Sequence, residues 1–339
     1  MVTIEDVARE AGVSISTVSY ALSGKRAISE ETRRRVVAAA ERLGYMPKAA
    51  ARALAGKRTH VIAVTTPLHA DTDHSAHMAF AMAVTTAARE HDFDTLLLVQ
   101  DDELEGMRRT AATLLADGIV VLDVAADDAR AELARQLRCP VVFVGVPTDN
   151  EGLTCIDLDF ERATEEAVEA LRTAGHRSLA LVSQGQDVID RASNYPLRIE
   201  RTFVAAAERH GLEARIVRPR PDTSSGVVEA LLDEHPDVTG LVLSTCSEVA
   251  DAVGPALERR GLRVPEDMSV VAVGMTPEPG RQPLPFDSFP LDPQLTCPAA
   301  VDLLVGIIEG RAVPGGVRLV PPVHQARGSV APVRMRDVR

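Results

Sequence analysis

The first 22 residues have the pattern of two short helices joined by a tight turn. Apolar side chains recur at the three- and four-residue spacing that gives a helix one buried face, at Ile4, Val7, Ala8 and Ala11. Thr3 can cap the start of this helix, and Gly12 can supply the turn that a helix-turn-helix unit needs. Ser14 can cap a second helix that runs to about Leu22. The second helix of such a unit enters the major groove of DNA, so the pattern predicts a DNA-binding fold.

A third helix and a concentration of positive charge extend this pattern. The helix is predicted to begin at Ser29 and to end at Gly44. Residues 1–58 carry a net charge of +5, whereas the whole chain carries −12, which leaves −17 for the remainder. A basic segment on an acidic body is typical of proteins that contact DNA through that segment alone. A three-helix bundle without a DNA role is the alternative.

Residues 3–54 resemble the N-terminus of the LacI–GalR family of bacterial transcription repressors. The resemblance rests on motifs at fixed spacing, namely T-I-x-D-V-A at Thr3–Ala8, A-G-V-S at Ala11–Ser14, T-V-S at Thr17–Ser19 and L-G-Y-x-P at Leu43–Pro47. It implies a helix-turn-helix domain over residues 1–46, a homodimer, and double-stranded operator DNA as the partner.

The resemblance also implies which side chains contact DNA. Ile15, Ser16 and Tyr20 occupy the base-reading positions, and Thr17 and Ser19 are expected to hold phosphates. The full expected set is Thr3, Ser14, Ile15, Ser16, Thr17, Ser19, Tyr20, Arg33, Lys48, Ala51 and Leu54. Ile15 and Ser16 carry no amide or guanidinium group, so we expect apolar contact with thymine methyl groups and one weak hydroxyl bond.

Residues 47–58 form a predicted hinge helix and linker. The segment from Lys48 to Ala55 is rich in alanine, but eight residues are too few for a stable isolated helix. The resemblance implies that two hinge helices of a dimer pair in the minor groove, where Leu54 wedges a base step. An ordinary linker is the alternative. Lys48 is a departure, since the family usually has Asn there.

Residues 59–339 have the pattern of a two-lobed α/β effector-binding domain. Short apolar runs alternate with helical stretches, at 61–64, 95–99, 118–122, 141–145, 179–183, 240–244 and 269–273. Such runs are typical of parallel strands that helices cover on both faces. The resemblance, supported by G-H-R at Gly175–Arg177, G-L-R-V-P at Gly261–Pro265 and R-G-S at Arg327–Ser329, implies a periplasmic-binding-protein-like fold. We place the N-lobe at about 59–156 and 290–313, and the C-lobe at about 157–289 and 314–331.

Candidate effector-binding residues follow the predicted strands, because ligands bind at the carboxyl ends of parallel strands. Asp123 and the pair Ser183-Gln184 are two such candidates. Arg198 lies near the position of an arginine that the family often uses on its ligand, and Arg201 is the competing alignment. Ser247 stands where many sugar-responsive members have Asp, and its single weaker bond disfavours an ordinary monosaccharide.

The polar segment at residues 69–77 is expected to border the cleft. It contains Asp71 and Asp73 beside three histidines, and both carboxylates are candidate effector contacts. A metal site is the alternative, but the spacing matches no known site closely, so no metal and no cofactor is expected.

The remaining sequence limits location and chemistry. The four cysteines are scattered without a C-x-x-C pair, which indicates a reducing compartment. There is no cleavable apolar N-terminal segment and no run of 18 apolar residues, so we expect a cytoplasmic protein associated with the chromosome and not with a membrane. No nucleotide-binding, zinc-protease or nucleophile-elbow motif occurs, so no catalytic residue is expected and the chain is not predicted to be an enzyme.

Together these features predict a sequence-specific transcription regulator. The main interpretation is a repressor of a catabolic or transport operon that a sugar or sugar derivative releases from a palindromic operator. One alternative is a corepressor mechanism with a nucleobase-like ligand. Another is a cytosolic small-molecule-binding protein or enzyme without a DNA function, in which the basic segment would have no role.

Overall fold

Three helices pack around a small apolar core at the N-terminus of the computed structural model, which describes residues 2–23, 28–45, 58–66, 74–99, 102–220, 226–277 and 284–333. The helices are α1 (Ile4–Ala11), α2 (Ile15–Ser23) and α3 (Glu30–Leu43). Val7, Val18, Val36 and Ala39 are fully buried between them. This region is called the headpiece below.

The predicted helix ends are confirmed. Thr3 accepts a bond from the Asp6 amide at 3.4 Å, and the Asp6 carboxylate accepts one from the Thr3 amide at 2.9 Å. This reciprocal capping satisfies amide groups that a helix start otherwise leaves unpaired. Gly12 (φ 63°) and Gly44 (φ 62°) end α1 and α3 in the left-handed conformation, which glycine adopts at little cost.

The first lobe contains a six-stranded parallel sheet. Its strands are β1 (Val61–Thr65), β2 (Asp94–Leu98), β3 (Gly118–Val121), β4 (Val141–Val144), β5 (Thr154–Leu158) and β11 (Gly316–Val320), in the spatial order β11-β5-β4-β3-β1-β2. Its helices are α4 (His74–Glu90), α5 (Glu103–Ala112), α6 (Ala129–Gln136) and α12 (Pro293–Ile308). Apolar side chains on both faces of the sheet are buried under these helices.

The second lobe contains a five-stranded parallel sheet. Its strands are β6 (Ser178–Val182), β7 (Glu213–Val217), β8 (Gly240–Leu243), β9 (Ser269–Val273) and β10 (Asp287–Phe289), in the order β10-β9-β8-β6-β7. Its helices are α7 (Phe160–Thr173), α8 (Gln186–Asp190), α9 (Asn194–Arg209), α10 (Val227–Glu234) and α11 (Ser247–Arg259). Both faces are again apolar and covered, as the continuous apolar runs predict.

The chain passes between the lobes three times, and one of the three boundaries differs from the prediction. Residues 314–331 were placed in the second lobe, but Gly316–Val320 pairs in register with Thr154–Leu158 of β5 and completes the first sheet. The chain enters the second lobe only afterwards, where Gln325 bridges to Ser288. The placement of 314–331 was therefore wrong for this strand, because β11 is an exposed edge strand and lacks the continuous apolar pattern of its neighbours.

Candidate DNA-binding face and effector cleft

One face of α2 is exposed while the other is buried in the headpiece. Ile15, Ser16 and Ser19 are exposed, whereas Val18 and Ala21 are buried. Ile15 has 47% of its surface exposed and lies beside the exposed hydroxyl groups of Ser16 and Ser19. An exposed apolar residue beside hydroxyl groups matches a surface that contacts base edges and methyl groups.

The start of α2 is held by a hydroxyl cluster. The Ser14 hydroxyl accepts a bond from the Thr17 amide at 3.1 Å, and its oxygen lies 2.8 Å from the hydroxyls of both Ser16 and Thr17. This cap fixes the orientation of the turn that precedes the exposed face.

The other expected DNA contacts divide between the headpiece and residues outside the described part of the chain. Thr3 and Arg33 are exposed and Tyr20 is half-buried. Arg34 and Arg35 are exposed beside Arg33 and can also reach phosphates. Lys48, Ala51 and Leu54, together with the rest of the expected hinge, lie outside the described residues.

A cavity of about 170 Å³ lies between the two lobes. Its lining residues come from both lobes, and several of them lie just after the carboxyl ends of strands, as expected for parallel sheets. The polar lining side chains are His77, Asp123, Asp157, Gln184, Arg191, Ser193, Asn194, Tyr195, Thr245, Ser247 and Thr276. Apolar walls are supplied among others by Phe80, Phe160 and Met275.

Asp123 is a partly buried carboxylate on the first-lobe side of the cavity. Its Oδ2 lies 3.3 Å from Nε2 of His77. Burial opposes ionisation of this carboxyl, but the bond to His77 and the positive charges of His77, Arg191 and Arg130 outweigh it, so the pKa of Asp123 lies below its ordinary value. Asp123 therefore stays ionised at neutral pH and can accept hydrogen bonds from a ligand.

Asp157 is a second buried carboxyl in the cavity wall. Its Oδ2 accepts a bond from Nη1 of Arg198 at 2.7 Å, and its Oδ1 accepts one from the Leu158 amide at 2.9 Å. Burial raises the pKa of Asp157 to about 6, and the opposing charge of Arg198 offsets only part of that rise.

Arg198 lies behind the cavity wall, not among its lining residues. Its Nε and Nη2 donate to the Glu161 carboxylate at 2.8 and 2.6 Å, and its guanidinium lies 5.2 Å from the centre of the Phe160 ring. Because two carboxylates hold it, Arg198 reaches the cavity only through Asp157. Arg201, the competing alignment, is mostly exposed near Glu161.

The other candidate effector-binding residues differ in whether they line the cavity. Asp123, Gln184 and Ser247 line the cavity, whereas Ser183 is buried and donates to Glu200 at 2.7 Å. Asp71 and Asp73 lie outside the described residues.

Two cavity residues that the sequence analysis missed carry unsatisfied polar atoms. Oδ1 of Asn194 and Oγ1 of Thr245 are buried and have no hydrogen-bond partner within the described part of the chain. A buried polar atom without a partner is costly, so both atoms mark places where a ligand can bind. Thr245 is the second residue after β8 ends at Leu243, so the rule that ligands bind at the carboxyl ends of strands could have identified it. Asn194 begins a helix and carries no comparable signal.

Neither a metal site nor a membrane-spanning helix is found in the ranges that the structure describes. Those ranges contain no group of three or more His, Cys, Asp or Glu placed to hold a metal ion. They also contain no helix with the length and apolar character needed to cross a membrane.

Comparison with known proteins matches both parts of the chain. Residues 3–48 match the protein-family model described as bacterial regulatory proteins, lacI family, and residues 152–330 match the periplasmic binding protein-like domain. Catabolite control protein A of Staphylococcus xylosus is 30% identical over 280 residues, which cover 81% of this chain and 83% of that protein. The Priestia megaterium protein of the same name is 29% identical over 283 residues, with 81% and 83% covered.

Two solved structures have a similar fold. The lac repressor dimer bound to operator and the anti-inducer ONPF aligns with a TM-score of 0.76 at 25% identity, covering 97% of this chain and 99% of that one. The transcriptional regulator CelR in complex with cellobiose aligns with a TM-score of 0.65 at 24% identity, covering 97% and 100%.

Proposed function

Because the chain belongs to the lacI family of bacterial regulatory proteins, we propose that it is a repressor whose affinity for its operator is set by a small molecule bound between the lobes. The observation that carries this proposal is the presence, in one chain, of an exposed reading face on α2 and a lined cavity between two lobes. The chain is a DNA-binding transcription regulator.

The proposed DNA contacts follow the geometry of α2. Ile15, Ser16 and Tyr20 read bases, Thr17, Ser19 and Arg33 hold phosphates, and Thr3 and Ser14 contact DNA from the starts of α1 and α2. Lys48, Ala51 and Leu54 act in the minor groove as hinge residues. The exposed side chain of Ile15 supports its contact with bases, and the exposed arginines near the start of α3 support the phosphate contacts.

We propose that two copies assemble through the first lobe. Met78 and Met82, four residues apart on α4, are 49% and 55% exposed; Leu97 on the neighbouring edge strand β2 is 39% exposed, and Val99, which follows that strand, is 44% exposed. A cluster of exposed large apolar side chains usually marks an interface. The lac repressor of similar fold is a dimer on its operator.

The proposed effector is a sugar derivative of about one ring, and not an ordinary monosaccharide, because Ser247 offers only one weaker bond in the cavity. The cavity of about 170 Å³ is slightly larger than an engineered cavity of about 150 Å³ that binds benzene. Asp123, Asn194, Thr245 and Ser247 offer hydrogen bonds to hydroxyl groups. The CelR structure of similar fold holds cellobiose. Asp71 and Asp73 stay proposed contacts at the cleft border, and Arg198 acts by holding Asp157.

We further propose that the protein acts in the cytoplasm and has no catalytic role. Its relatives are transcription regulators, and a protein that binds the chromosome of a bacterium works in that compartment.

Selection from random double-stranded DNA tests the proposal. We expect the full-length protein to enrich a palindromic site, and Ile15→Ala to weaken binding to that site about tenfold, since losing the readout of one base pair costs roughly 1–3 kcal/mol. Val37→Ala is the matched control, because Val37 is also an exposed apolar headpiece residue and is not an expected contact. Failure to enrich any site would overturn the proposal.

A further inference from the structure

One carboxylate holds the point at which the expected hinge and linker joins the first lobe. Oδ1 of Asp117 accepts a bond from the Thr59 amide at 2.8 Å and one from the Thr59 hydroxyl at 2.9 Å, and its Oδ2 accepts one from the His60 amide at 2.8 Å. Hydrogen bonds to a carboxylate are stronger than bonds between two neutral groups. Both oxygens of Asp117 are therefore committed to the two residues that directly follow the linker.

A second contact holds the last residue of that linker. Nη2 of Arg58 donates to the carbonyl of Ile308 at 3.0 Å, and its Nη1 lies 3.2 Å from Oε1 of Glu309. Ile308 ends α12, and at a helix end the carbonyl groups lack partners within the helix and a positive charge is favourable. Arg58 thus fixes the linker to the end of α12.

The backbone of His60 turns the chain between these contacts and β1. It is left-handed (φ 56°), a conformation that is sparsely populated for a residue other than glycine and that needs support. Its carbonyl accepts a bond from the Asp94 amide at 2.8 Å, and its Nδ1 lies 3.2 Å from the Asp92 carbonyl oxygen. Its ring packs on Phe93, with 5.2 Å between the ring centres. The direction in which the chain leaves the first lobe toward the linker is therefore fixed.

The two elements that hold the linker pack directly on each other. Gly118 follows Asp117 and begins β3, and a Cβ atom at Gly118 would lie 2.8 Å from Cδ1 of Leu304 and 3.0 Å from Cδ1 of Ile308. Glycine at this position lets α12 approach β3 closely, so the start of β3 and the end of α12 form one support. We call Arg58, Thr59 and His60, together with their partners Asp117, Ile308 and Glu309, the linker anchor.

The linker anchor lies at the end of the first sheet that is opposite the cavity. It holds the amino ends of β1 and β3, whereas the cavity residues Asp123 and Gly145 follow the carboxyl ends of β3 and β4. The anchor is therefore separate from the effector site. Its contacts act on the linker, and through the linker on the headpiece.

From this arrangement, and resting on the proposed function, we propose that the linker anchor determines which spacing of operator half-sites the dimer accepts. A fixed exit direction on each first lobe limits the separation and the relative rotation at which two headpieces can bind. One base pair added at the centre of a palindrome moves its half-sites apart by about 3.4 Å and rotates one against the other by about 35°. Asp117 is thus a positioning residue that acts on DNA specificity through the linker.

Two carboxylates flank Val61 at this end of the sheet, and only one of them belongs to the anchor. The Asp117 amide donates to the Val61 carbonyl at 2.8 Å on one side, and Asp94 pairs with Val61 in register on the other. Asp117→Ala removes three anchor bonds and one negative charge. Asp94→Ala removes the same charge from an exposed side chain and leaves the anchor bonds in place, so it is the matched control.

Fluorescence anisotropy of the full-length protein measures the spacing preference, on the selected palindrome and on versions with one base pair added or removed at its centre. We expect the wild type to bind the selected spacing at least about tenfold more tightly than either altered site. In Asp117→Ala this ratio should fall about fivefold, which corresponds to about 1 kcal/mol, because an altered spacing no longer strains the anchor bonds. Asp94→Ala should keep the wild-type ratio. A loss of folded protein weakens binding to all three sites alike and leaves the ratio unchanged.

A second variant covers the case in which Asp117→Ala does not fold. Asp117→Asn keeps the shape of the side chain but replaces one acceptor oxygen by an NH₂ donor, so the ratio should fall about twofold to fivefold. An unchanged ratio in the Asp117 variants, an equal fall in Asp94→Ala, or equal wild-type affinity at all three spacings overturns the inference alone. A wild-type protein that enriches no site overturns the proposed function as well, so the two failures are distinguishable.

Discussion

At the scale of single residues, Arg198 shows how a family expectation and the local geometry differ. The arginine was expected on the ligand, but Asp157 and Glu161 hold its guanidinium behind the cavity wall. These partners lie 41 and 37 residues away in the sequence, so no local pattern reveals the pairing. Asp123 was predictable because it follows a strand at its carboxyl end, whereas Ser247 was predictable only from the resemblance to the family.

Removal of Arg198 is expected to destabilise the protein. Arg198→Ala leaves Asp157 buried without its charged partner, and breaking a buried pair in this way costs about 3–5 kcal/mol. Chemical denaturation at pH 7.5 measures the loss. Arg201→Ala is the matched control on the same helix, since Arg201 is 75% exposed, and it should change stability little. Equal losses in the two variants would contradict this account.

The raised pKa of Asp157 predicts a pH dependence of stability. Its folded-state pKa of about 6 exceeds the ordinary value of 3.8, so the folded protein binds this proton more tightly than the unfolded chain. The stability that the proton contributes is present below pH 3.8 and is lost as the pH rises through about 6.

Comparison with Asp157→Asn isolates this contribution, because the variant cannot titrate at that position. The free energy of unfolding, measured between pH 4 and pH 7, should fall with rising pH in the wild type relative to the variant. A difference that stays flat or rises over this range contradicts a raised pKa of Asp157 in the folded protein.

At the scale of elements, all seven apolar runs picked out from the sequence form strands, and the four strands that were missed have a physical reason. β7, β10 and β11 lie at sheet edges, where one side is not covered by a neighbouring strand and a continuous apolar run is not needed. β5 is central, but Asp157 interrupts its apolar run to pair with Arg198. The headpiece was predictable in detail because its caps and turns are local.

The hinge is the element on which operator specificity is expected to depend. Leu54→Ala should weaken operator binding about tenfold, which corresponds to about 1.4 kcal/mol, because the smaller side chain cannot wedge a base step. Fluorescence anisotropy on the selected operator measures this change. Ala53→Ser changes the neighbouring residue, which is not an expected contact, and should bind normally. Full affinity of Leu54→Ala would exclude the wedge.

At the scale of the whole molecule, the lobes can influence the headpieces of a dimer only if the first lobes of the two copies are joined. The effector cavity lies where the lobes meet, whereas the exposed apolar cluster of Met78, Met82, Leu97 and Val99 lies on the first lobe alone. Closure of the cleft can therefore change how two first lobes meet, and through the hinges how two headpieces are spaced on a palindrome.

This arrangement predicts that a variant that cannot form the dimer also loses its affinity for the operator. Met82→Glu places a charge in the proposed interface, where burying a charge without a partner is costly. The variant should therefore sediment as a monomer at micromolar concentration, and it should lose most of its affinity for the operator. Val313→Glu is the matched control, since Val313 is 85% exposed and lies outside that cluster. Analytical ultracentrifugation and anisotropy on the same samples give both readouts. A dimeric Met82→Glu protein would place the interface elsewhere, and a monomer with full affinity would show that one headpiece binds alone.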